Sequence, residues 1–311
     1  MNELVQIQEL LKEKADCQAR LNLIPYDGSP EIKTQNEKKY LYVRKRVAGK
    51  LTSTYVDVYS DELYQLLLRN AKELRALNKR IRQIEKELSS LGYEKTELSE
   101  RIYQNVDFAR ANMKANIYDQ AVLEGVGTSF PQTEEIINNG IVNGVKATDV
   151  QKILNLKHAW EFILDIDVLQ SDSNFYMVSH IAKLVNEGFY MEGGRARNVP
   201  VTIGGSSYMP PIPIESAVKE AIDKIVLSGK EPIDIAIELC LYCMKTQIFI
   251  DGNKRASVIF ANQYLISHGQ GLLVIPEKEV PEFKMLLVKY YEGENPDIIR
   301  KFLKEKCWRN F

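Results

Sequence analysis

The sequence predicts a mainly α-helical protein in two parts. From about residue 96 onward, apolar residues recur at helical spacing almost without interruption. Residues 61–91 carry Leu63, Leu67, Leu74, Leu77, Ile81, Ile84, Leu88 and Leu91 in a four-three alternation, the seam of a paired helix. Pro131, Pro232 and Pro296 fall near expected helix starts, and Gly188, Gly229 and Gly269 near ends, the usual asymmetry.

Taken in order, residues 3–21 read as a helix through Leu4, Ile7, Leu10, Leu11 and Leu21. Residues 22–37, with Pro25, Asp27-Gly28 and Pro30, read as loop. Lys39 to Tyr59 reads as a β-hairpin: Tyr40, Tyr42, Val43 and Val47 precede a turn at Ala48-Gly49-Lys50, and Tyr55, Val56 and Val58 follow it. The 61–91 seam, interrupted at Asn70, is expected to pack on the first helix, because about four heptads are few for a free-standing coil. A homodimer through the same seam is the alternative. The expected division is residues 1–95 and 96–311. Within the second part, helices are expected at 96–125, 131–139, 147–166, 174–188, 214–228, 232–247, 253–268, 277–290 and 295–306. The exception is 194–213, where alternating Val199, Val201 and Ile203 followed by Gly204-Gly205 predict a short β-hairpin.

Composition excludes several classes. The chain has 311 residues, 45% of them hydrophobic, enough for a substantial core and unlike a disordered composition. Its 41 basic and 42 acidic residues give no overall pull toward nucleic acid or membrane. Residues 38–50 nevertheless hold six basic and no acidic residues with tyrosines interleaved, a mixture that nucleic-acid binders use. Cys240 and Cys243, one helical turn apart, read as buried thiols, since no second pair or nearby histidine supports a metal site. No apolar run is long enough to span a bilayer, and the charged start is not a secretory signal, so a cytoplasmic location is expected.

The most informative segment is Gln247-Ile248-Phe249-Ile250-Asp251-Gly252-Asn253-Lys254-Arg255. Asp251 offers a hard cation an oxygen ligand. Gly252 lets backbone approach a ligand. Asn253, Lys254 and Arg255 stand at an expected helix start, where free amides and cationic side chains favour phosphate.

These residues resemble the signature of the Fic/Doc family, His-x-Phe-x-Asp/Glu-Gly/Ala-Asn-Gly/Lys-Arg, with Gln247 in place of the histidine. The similarity runs from about 105 to 300. It implies a Fic-type helical bundle in which 194–213 is a flap that docks a target protein through Val199, Val201, Ile203 and Gly204. It implies ATP and Mg²⁺ as cofactors and transfer of AMP to a protein hydroxyl. Gln247, Asp251, Asn253 and Arg255 would be catalytic, with Asp251 on the metal. Phe249, Gly252, Asn253, Lys254 and Arg255 would bind nucleotide.

Glu124-Gly125 resembles the family's inhibitory motif, with Gln120 where Ser/Thr is usual and Val258 where the glutamate's arginine partner stands. The lost second arginine is similar to the Doc branch, which phosphorylates its target. A glutamine amide cannot take a proton as imidazole does, so a non-catalytic nucleotide- or protein-binding role is the other expectation.

Overall fold

The computed structural model describes residues 3–47, 50–94, 97–140, 142 and 144–311. The chain divides into two compact units, Met1–Lys95 and Thr96–Phe311.

In the first unit, helix α1 (Glu3–Leu23) is followed by strands β1 (Ser29–Gln35), β2 (Lys38–Val47) and β3 (Lys50–Val58), then helix α2 (Asp61–Ser90). The seam residues of α2 serve the chain itself: Ile84 and Leu88 pack with Leu10 and Leu11 of α1 in one buried cluster. Arg80 clasps Glu13 through two hydrogen bonds of 2.6 Å, fixing the pairing of the two helices. The strands form an antiparallel sheet in the order β1-β2-β3. Leu41 and Val43 point inward onto Leu67 of α2, whose start is capped by Ser60.

The loop expected over 22–37 is overturned in part, because β1 lies within it. Its turn to β2 runs through Asn36 and Glu37 with φ of 48° and 61°, the mirror-image turn that fits strand twist. Glutamate seldom adopts that conformation, so the sequence gives no turn signal there. Pro30 is tolerated because β1 is an edge strand. The β2–β3 turn expected at Ala48-Gly49-Lys50 lies largely outside the described residues.

The second unit runs α3 (Glu100–Leu123), α4 (Phe130–Asn139), α5 (Ala147–Ile163), α6 (Ile166–Leu169), α7 (Phe175–Val185), α8 (Glu215–Val226), α9 (Pro232–Thr246), α10 (Asn253–Ser267), β4 (Leu272–Leu273), α11 (Val280–Tyr291), α12 (Pro296–Phe302) and β5 (Trp308–Arg309). Helix α10 is the axis of this bundle: of its residues only Lys254 and Ser267 escape burial, and it packs on α3, α5, α7 and α9. Asn262 pairs both donor and acceptor with the backbone of Leu273, pinning β4 beside it. The helix expected over 147–166 stops at Ile163 and resumes as α6 under the Asp165 cap. The helix expected over 295–306 loosens after Phe302 into a wider turn, Leu303–Cys307, that delivers β5 to β4.

The β-hairpin expected over 194–213 is corrected: the segment is extended but has no strand ladder. Pro200, Pro210, Pro211 and Pro213 supply no amide hydrogens, so a continuous ladder cannot form there. A turn at Gly204-Gly205 reverses the chain, and a buried arginine closes its base.

Candidate functional site

That arginine is Arg197, which is 4% exposed. Its guanidinium donates to the carbonyls of Val199, Pro210 and Pro211 at 2.7, 3.2 and 2.7 Å, tying the two ends of the loop together. Its Nε donates to the Gln247 carbonyl at 2.6 Å, and its backbone amide to that of Ile248 at 2.9 Å. Burial lowers the Arg197 pKa, yet the fork of donors meets carbonyls on every side. The loop and the motif are thus held by one side chain.

Helix α9 ends in the motif. Gln247 takes left-handed φ and ψ of 47° and 60°, an uncommon conformation for this residue and one that collects at functional turns. Its side chain is tied into the loop: Nε2 donates to the Met244 carbonyl at 2.7 Å and Oε1 accepts from Asn253 at 3.2 Å. Asn253 also brackets Phe249, accepting from its amide at 2.9 Å and donating to its carbonyl at 2.8 Å. The 247–253 turn is therefore closed from inside by one asparagine. Gly252, with φ of 72°, presses against Asn186, so that a Cβ there would come within 2.7 Å of the Asn186 oxygen.

Asn186, fully buried at the end of α7, donates to the Gly193 and Asp251 carbonyls at 3.0 and 2.9 Å. Arg255 lies beneath the turn at 1% exposure. It donates to the Val185 carbonyl at 2.8 Å and meets Asp251 Oδ2 at 3.2 Å and Glu124 Oε2 at 3.4 Å. Glu124 Oε1 is buried without a hydrogen bond, 3.7 Å from Lys254. Gln120, one turn earlier on α3, donates to the Arg255 carbonyl at 2.9 Å and accepts from the Trp160 indole at 3.2 Å.

These elements enclose a cavity of about 410 Å³. The structure brings Val201, Ile203, Gly204, Gln247, Asp251, Gly252, Asn253, Lys254 and Glu124 to its wall, with Lys284 and Tyr291 of α11 opposite. Val199 faces a neighbouring hollow of about 280 Å³, and Ile250 borders both.

Phe249 and Arg255, expected to touch nucleotide, do not line the cavity: Phe249 is buried and Arg255 is spent on the turn's underside. Apolar and saturated groups of this kind shape the loop from below. Tyr291 and Arg197 escaped the sequence reading. An arginine in a Gly/Pro-rich loop looks solvated, and Tyr291 looks like one more apolar helix position. Burial holds the Tyr291 hydroxyl well above its usual pKa, while the nearby Gln247 amide acts in the opposite sense.

No histidine lines the cavity. His180 packs its ring on Phe162 at 4.5 Å, and His158 Nδ1 lies 3.3 Å from Glu187. Val258 is buried beside Gln120 and Trp160. Cys240 and Cys243 are buried free thiols, pushed up by desolvation. Among the described residues, no group of three or more His, Cys, Asp or Glu clusters, and no helix is long and apolar enough to cross a membrane.

A model of the Fic/DOC family matches residues 174–265, the stretch from the start of α7 through the motif to the body of α10. Residues 174–265 are a Fic/DOC family domain. Residues 4–65 match a domain of unknown function (DUF6788). Over 226 residues the chain is 25% identical to the protein adenylyltransferase Fic of Drosophila willistoni, covering 70% of this chain and 45% of that one. The Drosophila melanogaster protein of the same name is 24% identical over 226 residues, 70% of this chain and 46% of that one. The chain thus spans about half the length of the curated relatives it matches. Fic-1 (residues 134–508) from C. elegans aligns with a TM-score of 0.53 at 18% identity, covering 79% of this chain and 73% of that one. A Fic-domain signaling protein from Bacteroides thetaiotaomicron aligns at 0.51 and 14% identity, covering 70% and 89%. At these identities the likeness is one of fold, and the fold is the mainly helical Fic architecture.

Proposed function

We propose that the Fic domain binds ATP with Mg²⁺ and transfers AMP to a hydroxyl of a target protein held against the 194–213 loop, with activity weakened by Gln247. The observation that carries this is the convergence of Asp251, Lys254 and the Val201–Gly204 segment on one cavity of about 410 Å³, within the usual size range of cofactor sites. The names of the Drosophila relatives support the reaction class.

The donor set fits a hard cation: the Asp251 side chain is half exposed, with one oxygen engaged by Arg255. Mg²⁺ commonly takes one or two carboxylates and completes its shell with phosphates and water. Lys254 supplies the positive charge at the start of α10, where free amides also favour phosphate. A target hydroxyl would form a bond to the α-phosphorus as the bond to the pyrophosphate oxygen breaks, pyrophosphate leaving with the electron pair. The hydroxyl proton has no imidazole to receive it at position 247 and passes to solvent. Loss of general-base help is worth about 10²–10⁴-fold, while positioning and charge stabilisation persist.

A second reading is favoured by a specific observation. The Gln247 amide already bonds Met244 and Asn253, an arrangement suited to a non-catalytic nucleotide-binding protein. The buried Val258, where a phosphate-binding arginine is absent, also leaves Doc-like phosphoryl transfer within the proposal.

Incubation with ATP labelled at the α- or the γ-phosphate separates these. Label from the α-position on protein supports AMP transfer, and label from the γ-position supports phosphorylation. ATP binding with neither label transferred supports the non-catalytic reading.

A further inference from the structure

The first unit has a surface that the Fic reaction does not use. Helix α2 carries Arg75, Lys79, Arg82 and Lys86 at successive spacings of four, three and four residues, so all lie on one face. They are exposed and line a cavity of about 750 Å³, closed on its other side by Gly28 and Ser29 at the start of β1. The row is about 16 Å long. Arg75 reaches Ser29 at 3.5 Å, and no acidic side chain lines the cavity.

Strand β1 is an edge, so the outer face of the sheet begins one strand away. There β2 presents Tyr40, Tyr42, Arg44 and Arg46, on the face opposite buried Leu41 and Val43. Tyr55 of β3, half exposed, joins them with ring centroids 6.3 Å from Tyr40 and 5.5 Å from Tyr42. Lys33 lies 4.2 Å over the Tyr42 ring. The acid on this face, Glu31, is engaged by Lys33 and Ser53. Residues 1–95 hold 18 Lys and Arg against 14 Asp and Glu, whereas the whole chain holds 41 against 42. The positive excess therefore belongs to this unit.

We propose that the first unit binds single-stranded nucleic acid, its phosphates along the α2 row and its bases on the Tyr40–Tyr42–Tyr55 face. The row lies on the α2 side of the sheet and the rings on its outer face, so one strand would pass round the β1 edge to meet both. Single strands suit charges and rings because every base offers a π-face and every linkage a charge. A lipid surface would use the cations and leave the rings idle. A basic row without rings would serve any polyanion.

Fluorescence anisotropy of the full chain with labelled oligo(dT) and oligo(U) of about 16 nucleotides tests this across a salt series. Four phosphate contacts predict a slope of log K against log salt of about −3 for a single strand. R82E together with K86E should weaken binding and flatten that slope. Y42A together with Y55A should weaken binding about tenfold per lost stack while leaving the slope unchanged. Circular dichroism and the melting temperature of each variant confirm that the unit remains folded. The proposal is overturned by no binding at low salt, by tyrosine variants that bind as tightly as the parent, or by equal binding to a duplex of the same length. Preferential binding to anionic vesicles would also overturn it and assign the row to membrane lipid.

Discussion

Arg197 Nε sits 2.6 Å from the Gln247 carbonyl oxygen, so the residue that closes the 194–213 loop also holds the backbone of the motif's first position. A loop and a helix end joined in this way move together.

Arg197→Ala should therefore destabilise the chain and loosen the loop at once. Removing the guanidinium takes the donor from four carbonyls, that of Pro210 buried and the other three partly so, a loss of about 2–4 kcal/mol. Arg197→Lys keeps the charge but not the fork and should recover less than half. Urea denaturation gives the first quantity, and limited proteolysis within 200–209 gives the second. Unchanged cleavage would mean that the bonds from Ser206 and Ser207 to Glu292 hold the loop without Arg197.

Gln247→His should raise transfer of α-phosphate label by about 10²–10⁴-fold, the usual worth of a general base. Histidine tolerates the left-handed conformation at this position better than most residues, so the turn is expected to persist. ATP affinity should change little, because the groups proposed to face phosphate are Lys254 and the α10 amides. A variant that binds ATP yet still transfers no label would assign the defect to the buried Arg255 and Val258.

Glu124→Gln should tighten ATP binding by about fivefold, the equivalent of roughly 1 kcal/mol for a partly exposed ion pair. Glu124 lies 3.7 Å from Lys254 on the cavity wall, so it occupies a cation that a phosphate would take. Calorimetric titration of parent and variant decides it. Equal affinities would show that nucleotide and glutamate do not compete.

Gly252→Ala should cost about 1–3 kcal/mol and abolish ATP binding. Both the φ of 72° and the 2.7 Å approach to Asn186 exclude a methyl group without distortion. Pairing it with Asn186→Gly, which removes the obstructing side chain, separates the two causes. Rescue of folding by the pair would identify the collision as the larger cause.

Burial pushes the Cys243 and Cys307 thiols up to about 12 from 9.0. An acid whose folded pKa is raised gives stability that is whole below its unfolded pKa and is lost as pH climbs toward the folded value. Stability should thus fall from about pH 9 upward, and less steeply in Cys243→Ala, by at most ~1.4 kcal/mol per pH unit per thiol. Chemical denaturation between pH 8 and 11 measures it. At pH 8 iodoacetamide should leave all four buried cysteines unmodified until the chain is unfolded.

Much of this was legible in the sequence. The α2 seam announced its partner helix through Ile84, Leu88 and Leu91, whereas Leu63 and Leu67 pack on the sheet instead. The motif announced a tight turn entering a buried helix. What escaped were features with no local signal. Strand β1 has only Ile32 as an apolar landmark and turns through a glutamate. The 194–213 alternation was real, but its prolines remove ladder donors, so Arg197 replaces strand pairing with side-chain bonds. Phe249 and Arg255 sit close to Asp251 in sequence, yet Phe249 is buried behind the turn and Arg255 reaches Asp251 from beneath it, so neither lines the cavity. Spacing cannot reveal that, because residues in a non-repeating turn have no fixed period.

The Gln120 staple sets a speed. With its amide bridging the Arg255 carbonyl and the Trp160 indole, the end of α3 is fastened to α10. Displacing Glu124 by moving that helix would mean breaking two buried bonds and belongs to the microsecond-to-millisecond class of motions. A rotamer change of the Glu124 side chain alone would leave that helix in place and break only its pairing with Arg255 and Lys254. A phosphate entering this cavity would therefore have one side chain to displace rather than a whole helix.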